Sequence, residues 1–124
     1  MIRILLVEDQ PLVREIVREI LRDAPEMRVT GEAGDGDEMA VILAAGEFDL
    51  MLLDISLPGK SGFDLLKSVR VQYPGMAVLM LSTHSEPDYI ARAIDLGAAG
   101  YVQKRHAAER LVDAIRGIRL KAAG

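Results

Sequence analysis

Three short stretches of the chain are almost wholly apolar: Ile4-Leu5-Leu6-Val7, Leu50-Met51-Leu52-Leu53 and Ala77-Val78-Leu79-Met80-Leu81. They do not alternate polar with apolar residues, so neither face of an extended segment would meet water. That is the pattern of parallel strands covered on both sides by helices. Two weaker runs accompany them: Met27-Arg28-Val29-Thr30, leading to Gly31, and Ala98-Ala99-Gly100-Tyr101-Val102, leading to Gln103.

Helix-period segments separate the runs. In the first, Val13, Ile16, Val17, Ile20 and Leu21 share one face, with Arg14, Glu15, Arg18 and Glu19 opposite. Pro11 sits at its start, where a missing N–H costs nothing. A second helix is expected over Asp37 to Ala45, entered through the turn Asp35-Gly36-Asp37-Glu38. A third follows Ser61 as N-cap, turns Phe63, Leu66 and Val69 inward, and stops before Pro74 and Gly75. The fourth, from Pro87, carries Ile90, Ala93 and Ile94 and ends at Gly97. The fifth puts Leu111, Ile115 and Ile118 on one stripe, with Arg116, Arg119 and Lys121 as a solvated face. Strand and helix alternate five times over residues 1–124. This predicts one α/β domain: a five-stranded parallel sheet, helices on both faces and right-handed crossovers.

Composition narrows the function classes. Half of the residues are hydrophobic but only 4% are aromatic, so the core is built from Leu, Ile, Val, Met and Ala. Without Cys, disulfides, thiolate zinc sites and Cys nucleophiles are excluded. The net charge of −4 argues against this domain itself gripping a phosphate backbone, which needs clustered Lys and Arg. No apolar run approaches the length of a membrane span, and Met1 to Val7 runs straight into Glu8 and Asp9 without the parts of a signal peptide. A cytoplasmic protein is expected. His84 and His106 are too few and too far apart for a metal constellation and read as exposed loop residues.

The chemistry lies where the strands end. The first runs into Glu8 and Asp9, the third into Asp54, the fourth into Ser82 and Thr83, and the fifth into Lys104. In a parallel sheet these carboxyl ends share one edge, the edge where ligands bind. Alone, Asp54 would read as a helix cap or a strand end. Gathered with Glu8, Asp9 and Lys104 it reads as a site. Clustered carboxylates call for a hard divalent cation, and Mg²⁺ keeps several waters and accepts a phosphate oxygen. A carboxylate can be the nucleophile that forms an aspartyl phosphate, with Mg²⁺ and an ammonium offsetting the charge. Ser82 and Thr83 compete for a hydroxyl role, and Ser82 is nearer the strand end. Tyr101 reads as a core residue or as part of a switch.

On four segments the chain resembles the receiver domain of two-component response regulators: Leu6-Val7-Glu8-Asp9, Leu53-Asp54-Ile55-Ser56-Leu57-Pro58-Gly59 with Gly62, Met80-Leu81-Ser82, and Gly97 to Lys104. Tyr89 to Ile94, with the Gly-Ala-Ala-Gly that follows, looks most like regulators whose receiver precedes a LuxR-type DNA-binding domain. The resemblance implies a flavodoxin-like strand order of 2-1-3-4-5. It implies phosphorylation of Asp54, Mg²⁺ held by Asp9, Asp54 and the backbone carbonyl of Ser56, and Glu8 completing the acidic pocket through water. Lys104 and Ser82 would contact the phosphoryl group, Ser82 and Tyr101 would form the switch, and Ser56 and His84 would tune the lifetime of the phosphorylated state. A histidine kinase as donor, an output domain or target protein as recipient, and a homodimer on phosphorylation are the implied partners. Many receivers have Pro after the Lys; here Arg105 follows. A cis bond at a non-Pro residue would cost about 3–4 kcal/mol, so a trans peptide is expected.

Such a protein is a signalling switch, not an enzyme beyond accepting its own phosphoryl group and slowly releasing it. A free-standing phosphoshuttle is the alternative. An aspartate-nucleophile phosphohydrolase would commonly carry a second Asp two residues after the first, where this chain has Ser56. A flavin binder would need a phosphate loop and stacking aromatics that the sequence lacks.

Overall fold

The computed structural model describes residues 1–118 and 120. Five strands, β1 (Ile2–Val7), β2 (Met27–Ala33), β3 (Leu50–Leu53), β4 (Ala77–Ser82) and β5 (Gly100–Gln103), alternate with five helices. The helices are α1 (Pro11–Leu21), α2 (Gly36–Ala45), α3 (Gly62–Gln72), α4 (Pro87–Asp95) and α5 (Ala107–Arg116). A single 3₁₀ turn, Lys104–His106, joins β5 to α5. The strands pair in parallel in the order β2-β1-β3-β4-β5.

The apolar runs explain the layering. Because successive strand side chains point to opposite faces, Leu5, Val7, Met51, Leu53, Val78 and Met80 fall on one side of the sheet. There they pack with Met39 and Leu43 of α2, Phe63, Leu66 and Val69 of α3, and Ala93 of α4. Ile4, Leu6, Leu50, Leu52, Leu79 and Leu81 fall on the other side, against Val17 and Leu21 of α1 and Leu111 and Ile115 of α5. Both faces are dry, so strands β1, β3 and β4 need no polar alternation. Truncating one of these fully buried Leu side chains to Ala would cost about 2–5 kcal/mol.

Local signals set the helix ends. Ser61 Oγ accepts from Asp64 N at 3.3 Å, and Asp35 Oδ1 accepts from Glu38 N at 2.8 Å. Helix α4 closes with Gly97 in the left-handed region, φ +103°. There Gly97 N and Ala98 N donate to Ile94 O and Ala93 O, a Schellman closure. No peptide bond among the described residues is cis, and Arg105 continues directly from Lys104 into the 3₁₀ turn.

Several expectations change in detail. Strand β2 runs on through Gly31 to Ala33, and between Ile4 and Leu5 the register against it slips by one residue, leaving Thr30 as the extra one. Strand β5 begins only at Gly100, because Ala98 and Ala99 belong to the turn after α4. Ile16 and Ile94 lie on the outer rims of their stripes and remain 47% exposed. Arg116 is ion-paired with Glu26 instead of simply solvated, while Arg119 and Lys121 lie outside the described residues. Arg3 forks onto Asp49, donating from Nε and Nη2 and also from its backbone N–H, so that β1 is tied to the approach to β3. No helix among the described residues is long and apolar enough to cross a membrane.

Candidate functional site

The carboxyl edge of the sheet gathers the predicted residues. Asp54 follows β3 directly, its N–H held by Val7 O at 3.1 Å, and only 4% of its surface is exposed. Glu8 follows β1, tied by its N–H to Ala33 O, and is 1% exposed. Asp9, half-buried, comes next. One carboxylate oxygen from each of Glu8, Asp9 and Asp54 lies within 4.8 Å of the others. Lys104, at the end of β5, reaches across β4 to this group. Its Nζ donates to Asp54 Oδ2 at 3.2 Å and pairs with Glu8 Oε1 at 2.5 Å.

The loop beyond Asp54 is shaped for the site. Ser56 N donates to Asp54 Oδ1 at 3.2 Å, and Gly62 N donates to Ile55 O at 2.7 Å. At Gly62 any Cβ would overlap the backbone of Asp54 and Ile55, so only glycine lets α3 start this close to the end of β3.

Burial works against charge on this edge. It pushes the Glu8 carboxyl above its ordinary range, opposed by Lys104 and by Gln10 N–H, which donates to Glu8 Oε2 at 2.9 Å. Burial also pulls the Lys104 ammonium down, but Glu8 and Asp54 outweigh it and the net shift is upward. Three carboxylates against one ammonium leave an excess of negative charge at oxygen donors. That donor set fits a hard divalent cation such as Mg²⁺.

Ser82 is fully buried, and Tyr101, half-buried, packs against the cluster on the α3–α4 side. The Ser82 hydroxyl lies near enough to that of Tyr101 to oppose part of the upward pKa shift that burial causes there. His84 lies between them: its N–H donates to Ser82 Oγ at 3.0 Å and its carbonyl accepts from Tyr101 O–H at 2.8 Å. Burial holds the Tyr101 hydroxyl pKa above its ordinary value. Thr83 is exposed, consistent with a loop residue.

The reading of His84 as a plain exposed loop residue needs correction. Its Nε2 lies 3.1 Å from Ser56 Oγ, its Nδ1 lies 3.5 Å from Glu86 Oε2, and its ring stacks on Tyr89 with centroids 4.5 Å apart. His106 is also half-buried, 4.0 Å from Glu109. Sequence reasoning missed the His84 stack because Tyr89 lies five positions on, across a loop and into the next helix. Arg14 was also missed; its Nε donates to Glu8 O at 2.7 Å and braces the end of β1.

Comparison with known proteins agrees with this geometry. Residues 4–116 match the response regulator receiver domain family. The chain is 36% identical over 115 residues to YxjL of Bacillus subtilis, an uncharacterized transcriptional regulatory protein, covering 93% of this chain and 53% of that one. It is 36% identical over 118 residues to the chemotaxis protein CheY of Pseudomonas aeruginosa, covering 94% of each. The crystal structure of a LuxR-family two-component response regulator from Aurantimonas sp. superposes with a TM-score of 0.87 at 31% identity, over 94% of this chain and 83% of that one. The chain spans about half the length of the first curated relatives it matches. With the strand order, the acidic edge and the family match in agreement, the chain belongs to the response regulator receiver domains, related to those of LuxR-type regulators.

Proposed function

We propose that this domain is a phosphorylation switch that receives a phosphoryl group on Asp54 from the phosphohistidine of a histidine kinase. The observation that carries this reading is the position of Asp54, nearly buried, with one oxygen on Lys104 Nζ and the other on Ser56 N, beside Glu8 and Asp9. A carboxylate oxygen of Asp54 attacks the phosphorus, the bond from phosphorus to the donor breaks, and the donor leaves with the electron pair. Asp9, Asp54 and the Ser56 carbonyl would hold Mg²⁺, with Glu8 acting through water. Bound there, the ion offsets charge on the transferred oxygens. Lys104 would supply a second positive charge, and Ser82 Oγ would offer a hydrogen bond to another phosphoryl oxygen.

Once phosphorylated, the Ser82 hydroxyl has a stronger, charged acceptor than before. Its turn toward the phosphoryl group withdraws it from His84 N–H and shifts the loop whose carbonyl holds Tyr101. Helix α4, strand β5 and helix α5 then present an altered surface to a DNA-binding output domain or a target protein, with a homodimer as one form of output. Ser56 and His84, bonded to each other beside Asp54, govern the access of the water that ends the signal. The transcriptional role named for YxjL supports an attached DNA-binding domain, and the near full-length match to CheY supports a free-standing receiver. The protein acts in the cytoplasm on this reading.

Acetyl phosphate with Mg²⁺ tests the assignment. Intact mass should show one added phosphoryl group in the parent and none in Asp54→Asn. Equal labelling of that variant would sink the proposal.

A further inference from the structure

His84 is joined to the site and to α4 by separate parts of its structure. Its backbone N–H meets Ser82 and its carbonyl meets Tyr101, contacts that any residue with a free N–H could make. Its ring makes two others, one that needs a ring nitrogen and one that needs only a flat ring. Nε2 meets Ser56 Oγ at 3.1 Å, and the ring face lies on Tyr89 at 4.5 Å with an interplanar angle of 28°. Tyr89 in turn meets the Phe63 ring edge-to-face at 5.6 Å, and the Arg92 guanidinium sits 4.4 Å over the other aromatic partner, Phe63. An unbroken run of ring contacts therefore leads from the β4–α4 loop through Tyr89 of α4 to Phe63 of α3 and back to Arg92 of α4. These side chains line a surface pocket of about 370 Å³ that opens beside Ser56.

We propose that His84 is a positioning residue that carries the change at the phosphoacceptor to the α3–α4 face through its imidazole ring, in parallel with the route through Tyr101. This rests on Asp54 being the phosphoacceptor. When Ser82 Oγ turns to a phosphoryl oxygen, His84 N–H loses its acceptor and the loop shifts. The imidazole ring is carried with the loop and slides over Tyr89. Stacked aromatic pairs prefer defined offsets, so displacing one ring biases the orientation of the next. The Phe63 edge contact and the Arg92 guanidinium adjust in turn, and the pocket beside Ser56 changes shape. Coupling of this kind can travel through a contiguous set of packed groups, and the four side chains form one.

Two substitutions separate the ring from the hydrogen bond. His84→Phe keeps a flat ring without nitrogen; His84→Gln keeps a polar end without a ring. The 124-residue chain, with Mg²⁺, is titrated with beryllofluoride as the phosphoryl stand-in. Bound ¹⁹F signals report occupancy, and NMR follows the Tyr89, Phe63 and Tyr101 rings and Arg92 Nε. In the parent and in His84→Phe, all four groups should shift on binding. In His84→Gln, the shifts at Tyr89, Phe63 and Arg92 should fall below half of the parent values, while Tyr101, which uses only the backbone carbonyl of residue 84, still responds. A His84→Gln protein that responds like the parent overturns the inference, as does a parent whose α3–α4 face stays silent with beryllofluoride bound. No bound ¹⁹F signal in the parent would overturn the phosphoacceptor reading and this inference together.

Discussion

Lys104 Nζ stands 2.5 Å from Glu8 Oε1, and that ammonium is also shared with Asp54. Glu8 is 1% exposed, so water can do little for its charge if the partner is removed. Lys104→Gln should therefore destabilise the metal-free protein by about 3 kcal/mol, the lower end of what breaking a buried pair costs, because Lys104 keeps some contact with solvent. Mg²⁺ should restore much of the loss by replacing the missing positive charge. Urea unfolding with and without Mg²⁺ reads both effects. A midpoint that does not move between parent and variant would contradict the shared-charge account.

Mg²⁺ binding should distinguish the two acidic residues after β1. Asp9→Asn removes a direct ligand on the proposed assignment and should weaken Mg²⁺ binding tenfold or more, about 1.4 kcal/mol. Glu8→Gln should weaken it less, because that residue is already paired with Lys104 and acts through water. Calorimetric titration gives both constants. The reverse order would exchange the two assignments.

Ser56, whose N–H bonds Asp54 Oδ1, meets the His84 ring at 3.1 Å, beside the proposed phosphoacceptor. Opening that contact should admit water, so Ser56→Ala and His84→Ala should each speed loss of the phosphoryl group by about threefold, ~0.7 kcal/mol in the barrier. Single-turnover decay of the purified phosphoprotein measures this. Unchanged decay in both variants would remove these residues from the water path.

Much of this site is legible in the sequence because each member stands at a strand end, and a parallel sheet needs no further information to bring those ends together. The dry strands are legible for a related reason: Leu50 to Leu53 has no polar residue to suggest a wetted face. What is not legible depends on distant partners. Glycine at position 31 looks like a stop, yet β2 continues through it in pairing with Leu5, and the Phe48 ring packs where a side chain would stand. The helical period alone puts Ile16 and Ile94 inward, but neighbouring helices cover only the centre of each stripe. His84 looks like a loop residue until α4 is folded back and Tyr89 arrives beneath it.

Asp49 provides a pH test away from Asp54. The Arg3 fork, together with Arg3 N–H, holds its carboxyl below the ordinary Asp range against the opposing effect of burial. A depressed folded pKa means that the stabilisation is complete above the unfolded value of about 4 and is lost as pH falls through the folded value. Asp49→Asn should cost about 1–3 kcal/mol at neutral pH. Its difference from the parent should be flat above about pH 5 and shrink below about pH 4. A gap that widened on acidification would reverse the sign and refute the account.

Two glycines after Asp54, Gly59 in the loop and Gly62 at the start of α3, should behave differently. Gly59 has φ +81° with open space around it, so Gly59→Ala should bring only backbone strain, about 1–2 kcal/mol, and leave Mg²⁺ binding intact. Gly62→Ala should cost more and weaken Mg²⁺ binding as well, because the added methyl pushes on Asp54 itself. Thermal melts paired with metal titrations separate strain from displacement. Equal effects of the two substitutions on metal affinity would show that the loop, and not the contact with the Asp54 backbone, sets the site.

The extra residue at Thr30 bears on how such a domain behaves at high concentration. A five-stranded open sheet offers its neighbours two raw borders, and a straight border of unpaired N–H and C=O groups is a template for strand-to-strand sticking. Here one border, β2, is bent by the register slip, and the other, β5, is only four residues long. Neither makes a good seed for an aggregate. Copies of the domain brought close together should therefore not join sheet to sheet.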